Sequence, residues 1–183
     1  MKYYAVKVAA ILVGITVIAT PLISSEVERA TEAAAPPPAN QHLGPVTNLP
    51  LPRYVSMKAE TGNARRGPSL TNGVDWVFTK ENTPLEITAE YGHWRRVRDI
   101  DGAGGWMHYS LLSGVRTVIV QKDYTPLRMR PEIGSDPNAY AEQGVIAFLG
   151  ECRLKWCRIK ANGLRGWVLK TEIWGVGDKE IRD

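Results

Sequence analysis

The chain has 183 residues, 44% of them hydrophobic and 23% charged, with two cysteines and a formal net charge of +4. This length suits one ordinary domain or two small ones. The positive charge is too small for the dense Lys/Arg face that nucleic-acid binding usually requires, so we predict no nucleic-acid partner.

The N-terminus has the order of features of a secretory signal peptide. Lys2 and Lys7 precede an uncharged apolar run over 8–23, and the small pair Ser24-Ser25 follows it. We therefore predict a signal peptide over 1–25, removed after the serine pair, and a periplasmic or secreted protein. The alternative is an uncleaved anchor, although the apolar run is slightly short of the roughly 20 residues that span a bilayer. Contact with a membrane is expected only in that second case.

The next segment, 26–52, is rich in Ala and Glu and then in Pro, including the run Pro36-Pro37-Pro38. It offers few side chains that a core could bury. We predict a disordered or semi-extended linker here.

The rest of the chain contains the same unit twice, repeat 1 over 53–115 and repeat 2 over 116–177, followed by a C-terminal tail over 178–183. A one-residue slip inverts the two faces of a strand, whereas loops tolerate it. Because the offset between the units drifts by single residues only between matching blocks, the blocks are predicted to be strands. The matching blocks are Arg65 with Arg128 at offset 63, Trp94-Arg-Arg-Val97 with Trp156-Cys-Arg-Ile159 at offset 62, and Gly105-Trp106 with Gly166-Trp167 at offset 61.

Within each unit the apolar residues alternate with period two, which is typical of strands. Turn residues interrupt this pattern, among them Gly67-Pro68 and Asn162-Gly163. No stretch sustains a long helix, although 108–112 and 170–173 can each form one 3₁₀ turn. We predict an all-β fold of two tandem small β-barrels. A 60-residue barrel is marginal alone, so the two are expected to pack together.

The segment Asn63-Ala-Arg65-Arg-Gly67-Pro68, followed by Trp94-x-x-Val97 and Gly105-Trp106, resembles bacterial SH3-like domains in order and spacing. Two such units in tandem resemble an exported bacterial SH3-like family with largely uncharacterised members. Repeat 2 departs from the motif at 126–131, where it lacks the Asn and the Gly. The resemblance implies a module that holds cell-wall peptides or other proteins.

The two cysteines, Cys152 and Cys157, fall opposite each other if the segments around them form a hairpin, which predicts a disulfide. At the same two positions repeat 1 has Glu90 and Arg95, an opposite-charge pair. A catalytic thiol needs a histidine base, and none of the three histidines lies in a sequence typical of such an enzyme. A zinc site needs further ligands. We therefore predict no metal, no cofactor and no enzymatic activity.

Pairing between the repeats separates the tryptophans predicted to be in the core from the aromatic residues considered as ligand-binding candidates. Four tryptophans are paired between the repeats and are predicted to lie in the core: Trp94, Trp106, Trp156 and Trp167. Trp76 and four tyrosines have no such pairing and lie near predicted loops or strand ends, where SH3-type grooves present aromatic side chains to extended peptides. The candidate ligand-binding residues are Trp76, Tyr91, Tyr109, Tyr124 and Tyr140. The alternative for each is partial packing with an exposed edge.

Together these features predict a non-catalytic cell-envelope binding module that recognises a cell-wall peptide or peptidoglycan. The alternative is a structural or scaffolding protein that binds another envelope protein. If the work is divided, repeat 1 is expected to bind the ligand and repeat 2 to supply rigidity through the disulfide. The sequence predicts no oligomeric state.

Overall fold

Strands make up nearly all of the regular structure in the computed structural model, which describes residues 42–183. The predicted signal peptide and residues 26–41 of the predicted linker lie outside this range. Within it, no helix is long and apolar enough to cross a membrane. The all-β prediction is confirmed, and the helical elements of residues 42–183 are two 3₁₀ turns at the expected places, Tyr109–Leu111 and Lys170–Glu172.

Repeat 1 forms a seven-stranded antiparallel sheet, and a two-stranded hairpin precedes it. The sheet order is β5-β4-β8-β7-β6-β3-β9. The hairpin strands are β1 (His42–Leu43) and β2 (Pro50–Leu51), and the sheet strands are β3 (Arg53–Met57), β4 (Gly62–Arg65), β5 (Val74–Phe78), β6 (Pro84–Tyr91), β7 (Trp94–Arg98), β8 (Gly104–His108) and β9 (Leu112–Ser113).

Repeat 2 forms a second seven-stranded antiparallel sheet with the order β12-β11-β15-β14-β13-β10-β16. Each of its strands takes the place of the strand seven numbers earlier, so the two units share one topology and the tandem repeat is confirmed. The strands are β10 (Thr117–Val120), β11 (Thr125–Arg128), β12 (Pro137–Ala141), β13 (Ile146–Cys152), β14 (Trp156–Ala161), β15 (Leu164–Leu169) and β16 (Ile173–Trp174).

Each sheet buries one face in its own core, as alternating side chains require. In β7, Arg95 and Val97 point inward while Arg96 and Arg98 are exposed. The repeat 1 core contains Met57, Ala64, Phe78, Leu85, Ile87, Val97 and Met107. The repeat 2 core contains Val118, Val120, Leu127, Ala141, Ala147, Leu149, Cys152, Cys157, Ile159, Val168, Ile173 and Val176.

Of the four paired tryptophans predicted to be core residues, only the two of repeat 2 are buried. Trp156 and Trp167 are buried, whereas Trp94 and Trp106 are half-buried on the outer face of repeat 1. Strand parity places Trp94 and Trp106 on that outer face, since both alternate with the inward-pointing positions of their strands. Trp167 has the same parity in repeat 2, where the Arg153 guanidinium lies over its ring.

The predicted disulfide is confirmed. Cys152 and Cys157 pair directly across β13 and β14, with their Cα atoms 4.1 Å apart. In repeat 1, Glu90 and Arg95 pair across β6 and β7 in the same way, with Arg95 Nε 3.5 Å from Glu90 Oε1. One repeat thus closes this hairpin with a covalent bond and the other with an ion pair.

The prediction of a disordered linker is wrong for residues 42–52, which form the β1–β2 hairpin and the approach to β3. The fully buried carboxylate of Glu90 binds this hairpin. It accepts hydrogen bonds from Val46 N at 3.1 Å, from Thr47 N at 2.9 Å and from Thr47 Oγ1 at 2.6 Å. Arg53 Nη2 adds a contact at 2.6 Å. The Glu90 carboxylate, which is distant in sequence, therefore orders a segment whose composition predicts a flexible linker.

These contacts determine the pKa of Glu90. Burial raises it, but the hydrogen bonds from Thr47, Arg53 and Val46 outweigh burial and lower the pKa from 4.5 to about 2. The carboxylate is consequently charged at all ordinary pH values.

The two repeats contact each other directly, as expected for units of marginal size. The Tyr54 ring meets the Trp174 ring edge-on, with centroids 5.2 Å apart. Thr117 Oγ1 donates to Asn82 O at 2.7 Å. Arg116, in the connection between the repeats, lies over the Tyr54 ring at 5.7 Å from its centroid. Burial, followed by the nearby Glu86 charge, raises the pKa of Tyr54, so its ring stays neutral at this junction.

The predicted C-terminal tail packs onto repeat 2. Arg182 N and O exchange hydrogen bonds with Cys152 O and N at 3.0 and 2.7 Å. The Glu180 carboxylate accepts two hydrogen bonds from Arg116, at 2.9 and 3.1 Å. Buried Lys170 donates to the carbonyl of Gly177, the last residue of repeat 2, and to two tail carbonyls, those of Asp178 and Glu180. The tail therefore belongs to the folded unit and ties its end to the connection between the repeats.

Replacing Glu90 with Gln should release the N-terminal hairpin. The amide would lose the charge that Arg53 contacts and oppose N–H groups with an N–H₂ group, at a cost of about 2 kcal/mol for a charge-assisted hydrogen bond. Hydrogen exchange of peptides covering 42–51 should accelerate by about 30-fold, because each 1.4 kcal/mol is a factor of ten. The exposed carboxyl variant Glu81→Gln is the control. Equal exchange rates in Glu90→Gln and Glu81→Gln would contradict the role of the Glu90 carboxylate in holding the hairpin.

The difference in hydrogen-exchange rate between the wild type and Glu90→Gln should depend on pH. The pKa of Glu90 is lower in the folded state, so its contribution is complete above about pH 5 and is lost as the pH falls from 4.5 towards 2. Hydrogen exchange of wild type and Glu90→Gln should therefore converge over this acid range. A ratio of rates that stays constant from pH 6 to pH 2.5 would show that the Glu90 charge does not hold the hairpin.

Replacing both cysteines with Ser should lower the free energy of unfolding by about 2 kcal/mol, since the closed loop is short. The fold should persist because the surrounding core is unchanged. Urea unfolding measures the loss, and reductant should reproduce it in the wild type while leaving the variant unchanged. An unfolded variant would mean that the disulfide does more than close one hairpin.

Candidate functional site

The outer face of the repeat 1 sheet carries an alternating set of aromatic and cationic side chains. Arg65 of β4 pairs with Trp106 of β8, and Trp106 pairs in turn with Arg96 of β7. Trp94 of β7 pairs with His108 of β8. Residues paired across antiparallel strands share one face, so these five side chains lie on the same surface.

Two hollows lie side by side on this surface. The larger has a volume of about 530 Å³ and the smaller of about 230 Å³. Arg65 lines both, and together we call them the repeat 1 groove. The larger hollow is lined by Arg65, Arg66, Asp75, Thr88, Arg96, Val97, Arg98, Gly102, Gly104, Gly105 and Trp106. The smaller is lined by Thr61, Asn63, Arg65, Leu70, Trp94, His108 and Leu111.

Gly105 allows the floor of the larger hollow to form. It has a φ of 151°, and a Cβ atom there would lie 2.6 Å from Arg65 O in the neighbouring strand. In repeat 2 a Cβ on Gly166 would meet the backbone of Leu127 at the same distance, 2.6 Å. A side chain at either position would separate the strands that hold the groove arginine.

The cations of the groove differ in how far they are neutralised. Arg66 pairs with Asp75 at 3.0 Å, and Arg98 pairs with Glu86, which raises the pKa of Arg98. Arg65 Nη1 donates to Asn72 O at 2.7 Å, which fixes its position without neutralising it. The Arg96 side chain makes no hydrogen bond or ion pair within residues 42–183. It is thus the side chain best placed to bind an external carboxylate by a forked hydrogen bond.

The five aromatic residues predicted to bind ligand are all exposed, but none is among the described residues that line the groove. Tyr109 lies at its end, 4.9 Å from the His108 ring and 5.6 Å from the His93 ring. Tyr91 pairs with Trp94 at the end of β6. These two adjoin the groove.

The other three candidates lie elsewhere. Trp76 is on β5 opposite buried Ala64 and meets Phe78 at 6.4 Å, so it covers the core edge and not the groove. Tyr124 and Tyr140 belong to repeat 2, where Tyr140 pairs with Pro126. Tyr124 is 79% exposed and has a φ of 53°, an uncommon conformation for a bulky residue.

The groove residues that sequence reasoning missed are Trp94, Trp106 and Arg96. The tryptophans were predicted to be core residues, and the arginine was not among the candidate ligand-binding residues. The signal was present in strand parity, because Trp94 and Arg96 alternate with the core residue Val97.

Repeat 2 carries a corresponding hollow of about 220 Å³. Arg128 takes the place of Arg65, and its Nη1 donates to Ser135 O at 2.8 Å, as Arg65 donates to Asn72 O. The first loop of repeat 2 is therefore held in the same way, although its sequence departs from the motif. The lining residues are Arg128, Met129, Asn138, Arg158, Arg165, Gly166 and Trp167.

The topology and the repeated arginine contact agree with a sequence comparison. The sequence model of the bacterial SH3 domain matches residues 58–114 and 121–175. The chain belongs to the bacterial SH3 domain family. Both matched segments fall inside the two predicted repeats, so the SH3 units correspond to repeat 1 and repeat 2.

Comparison with solved structures gives matches at low similarity. One is NlpC2 from Trichomonas vaginalis, with a TM-score of 0.33 and 12% identity over 67% of this chain and 47% of that chain. Another is NlpC1 from Trichomonas vaginalis, with a TM-score of 0.32 and 12% identity over 72% of this chain and 49% of that chain. The chain thus spans about half the length of each, and values this low assign no function. No curated protein sequence matches.

Replacing Gly105 with Ala should destabilise repeat 1 by about 2 kcal/mol, because the added Cβ meets Arg65 O and the backbone conformation disfavours a side chain. Gly73→Ala is the matched control, since nothing lies within 4 Å of a Cβ at that position. Thermal unfolding measures both. Equal stability of the two variants would show that the strands do not need the close approach.

Proposed function

We propose that this bacterial SH3 protein is a non-catalytic cell-envelope module whose repeat 1 groove binds an extended, anionic cell-wall peptide. The observation that carries the proposal is Arg96. Its charge is unneutralised within the described residues, and it lies beside the half-buried Trp106 on the floor of an open hollow. A guanidinium group next to an aromatic surface suits a ligand that combines a carboxylate with apolar groups.

The division of the groove supports a peptide as ligand. The smaller hollow presents Leu70 and Trp94, which offer apolar contact, and the larger presents the arginines. A chain lying across Arg65 could place an apolar side chain at one end and a carboxylate at the other. Cell-wall stem peptides carry free carboxylates of this kind, and recognition of extended peptides in aromatic-lined grooves is an established use of SH3 architecture.

An extracytoplasmic location is part of this proposal. The predicted leader supports it, as does the disulfide, because disulfides persist in oxidising compartments. The absence of catalysis is also proposed. Both cysteines of the chain are in the disulfide, so neither supplies a thiolate. Among residues 42–183 no cluster of three metal-binding side chains is found.

The test is retention of the full-length chain on purified peptidoglycan sacculi. Arg96→Ala should weaken retention by about tenfold or more, because a hydrogen bond to a charged group contributes about 1.5–3 kcal/mol. Arg130→Ala is the control, since Arg130 is an exposed arginine paired only with Glu132 on the surface of repeat 2. Arg158→Ala, at the position equivalent to Arg96, tests whether repeat 2 contributes.

Two outcomes would overturn the proposal. The wild-type chain could stay wholly in the supernatant, in which case crosslinking that captures one defined envelope protein would favour the scaffolding alternative. The Arg96 and Arg130 variants could also be retained equally, which would exclude the groove as the binding site.

A further inference from the structure

The outer face of repeat 2 differs in charge from the groove of repeat 1. Phe148 of β13 pairs with Lys160 of β14, which pairs with Arg165 of β15, so the three side chains form one row across the sheet. Arg158 follows on the same face of β14, and Arg128 lies on β11 opposite Trp167. We call Arg128, Phe148, Arg158, Lys160 and Arg165 the repeat 2 basic face.

Two adjoining hollows open on this face, of about 220 and 270 Å³, and both are lined by Arg158 and Arg165. No Asp or Glu is among the described residues that line either one. The side chains of Arg158, Lys160 and Arg165 make no ion pair within residues 42–183, and Arg128 donates only to a backbone carbonyl. The four positive charges are therefore free to meet an external anion.

Comparison of the repeats shows that this charge is not imposed by the fold. In repeat 1 the position of Phe148 is occupied by Glu86, which neutralises Arg98. The position of Asn138 is occupied by Asp75, which neutralises Arg66. Repeat 2 thus replaces both carboxylates of the shared face with uncharged side chains, one of them aromatic.

The exposure of Phe148 restricts the class of anionic partner that fits this face. Phe148 is 48% exposed and has Lys160 of β14 on one side and Thr117 of β10 on the other. An exposed aromatic ring at the end of a row of cations suits the interface of an anionic membrane, where the ring enters the headgroup region and the cations meet phosphates. A polyanion without apolar groups would satisfy the cations but leave the ring without an apolar partner.

We propose that the repeat 2 basic face docks on an anionic phospholipid surface. This surface is separate from the repeat 1 groove, and the inference does not depend on the peptide proposed to bind there. The structural role expected of repeat 2 is then accompanied by a binding role, with the Cys152–Cys157 disulfide at the end of the β13–β14 hairpin that carries the face.

The test is flotation of the full-length chain with vesicles of phosphatidylcholine alone or with 30% phosphatidylglycerol. Preference for the anionic vesicles should fall by about 25-fold or more in Lys160→Glu/Arg165→Glu, since each cation near an anionic surface contributes about fivefold. Phe148→Ala should lower it several-fold, and 0.5 M salt should remove most of it. Circular dichroism should show each variant folded.

The control is Lys80→Glu/Lys122→Glu, which makes the same change in net charge at exposed lysines outside the face. The preference of this control variant for anionic vesicles should fall by less than about threefold. The N-terminal apolar run with Lys2 and Lys7 is the same in every variant, so its contribution to binding cancels when the variants are compared. Arg96→Ala, which should weaken retention on sacculi, should keep the preference for anionic vesicles, and this separates the inference from the proposal for the groove.

Three results would overturn the inference. The wild type could bind both vesicles equally, or neither. The control could lose as much preference as the variant of the face, which would reduce the effect to net charge. Phe148→Ala could leave the preference unchanged, which would favour a soluble polyanion over a membrane surface.

Discussion

The buried carboxylate of Glu90 is the interaction on which the first half of the fold depends. A buried charge is tolerated only when donors or opposite charges surround it. Here the donors are in the preceding hairpin and in Arg53 at the start of β3, and Arg95 adds an ion pair across the sheet. One side chain thus joins the hairpin to repeat 1. Without the charge, residues 42–51 would keep Leu51, which packs against the repeat 1 core, whereas Leu43, Val46 and Leu49 are exposed.

The equivalent strand end of repeat 2 binds a neighbouring segment by different contacts. The position of Glu90 holds Cys152, whose backbone binds Arg182 of the C-terminal tail. In both repeats, then, this strand end receives a segment from outside the unit, the hairpin in one and the tail in the other. The carboxylate binds its segment through side-chain charge, whereas repeat 2 uses backbone pairing beside a disulfide. This difference explains why, at this strand end, a pH-dependent contact is expected only in repeat 1.

The fold was predictable from the sequence because short-range signals determine it. Asn162-Gly163, with φ values of 49° and 80°, forms the two-residue turn between β14 and β15 that its composition predicts. The ordered hairpin was not predictable, because its Pro-rich composition is typical of a tether and its anchor, Glu90, lies 43 residues beyond Thr47. The groove was missed because Trp94 and Trp106 were assigned by residue type and not by strand parity. The unpaired aromatics were chosen without knowledge of which face each strand presents.

The junction between the repeats links the two proposed surfaces. Arg116 contacts the Tyr54 ring of repeat 1 and the Glu180 carboxylate of the tail, and Tyr54 in turn meets Trp174 of repeat 2. Burial raises the pKa of Glu180, but the hydrogen bonds from Arg116 and from Gly177 N outweigh burial, so the pKa lies below its usual value. The ion pair therefore persists at neutral pH. Because these contacts join β3, the connection, β16 and the tail, the two units cannot reorient without breaking them. A peptide held by the groove and a membrane met by the basic face would therefore be kept at a fixed separation by the fold itself.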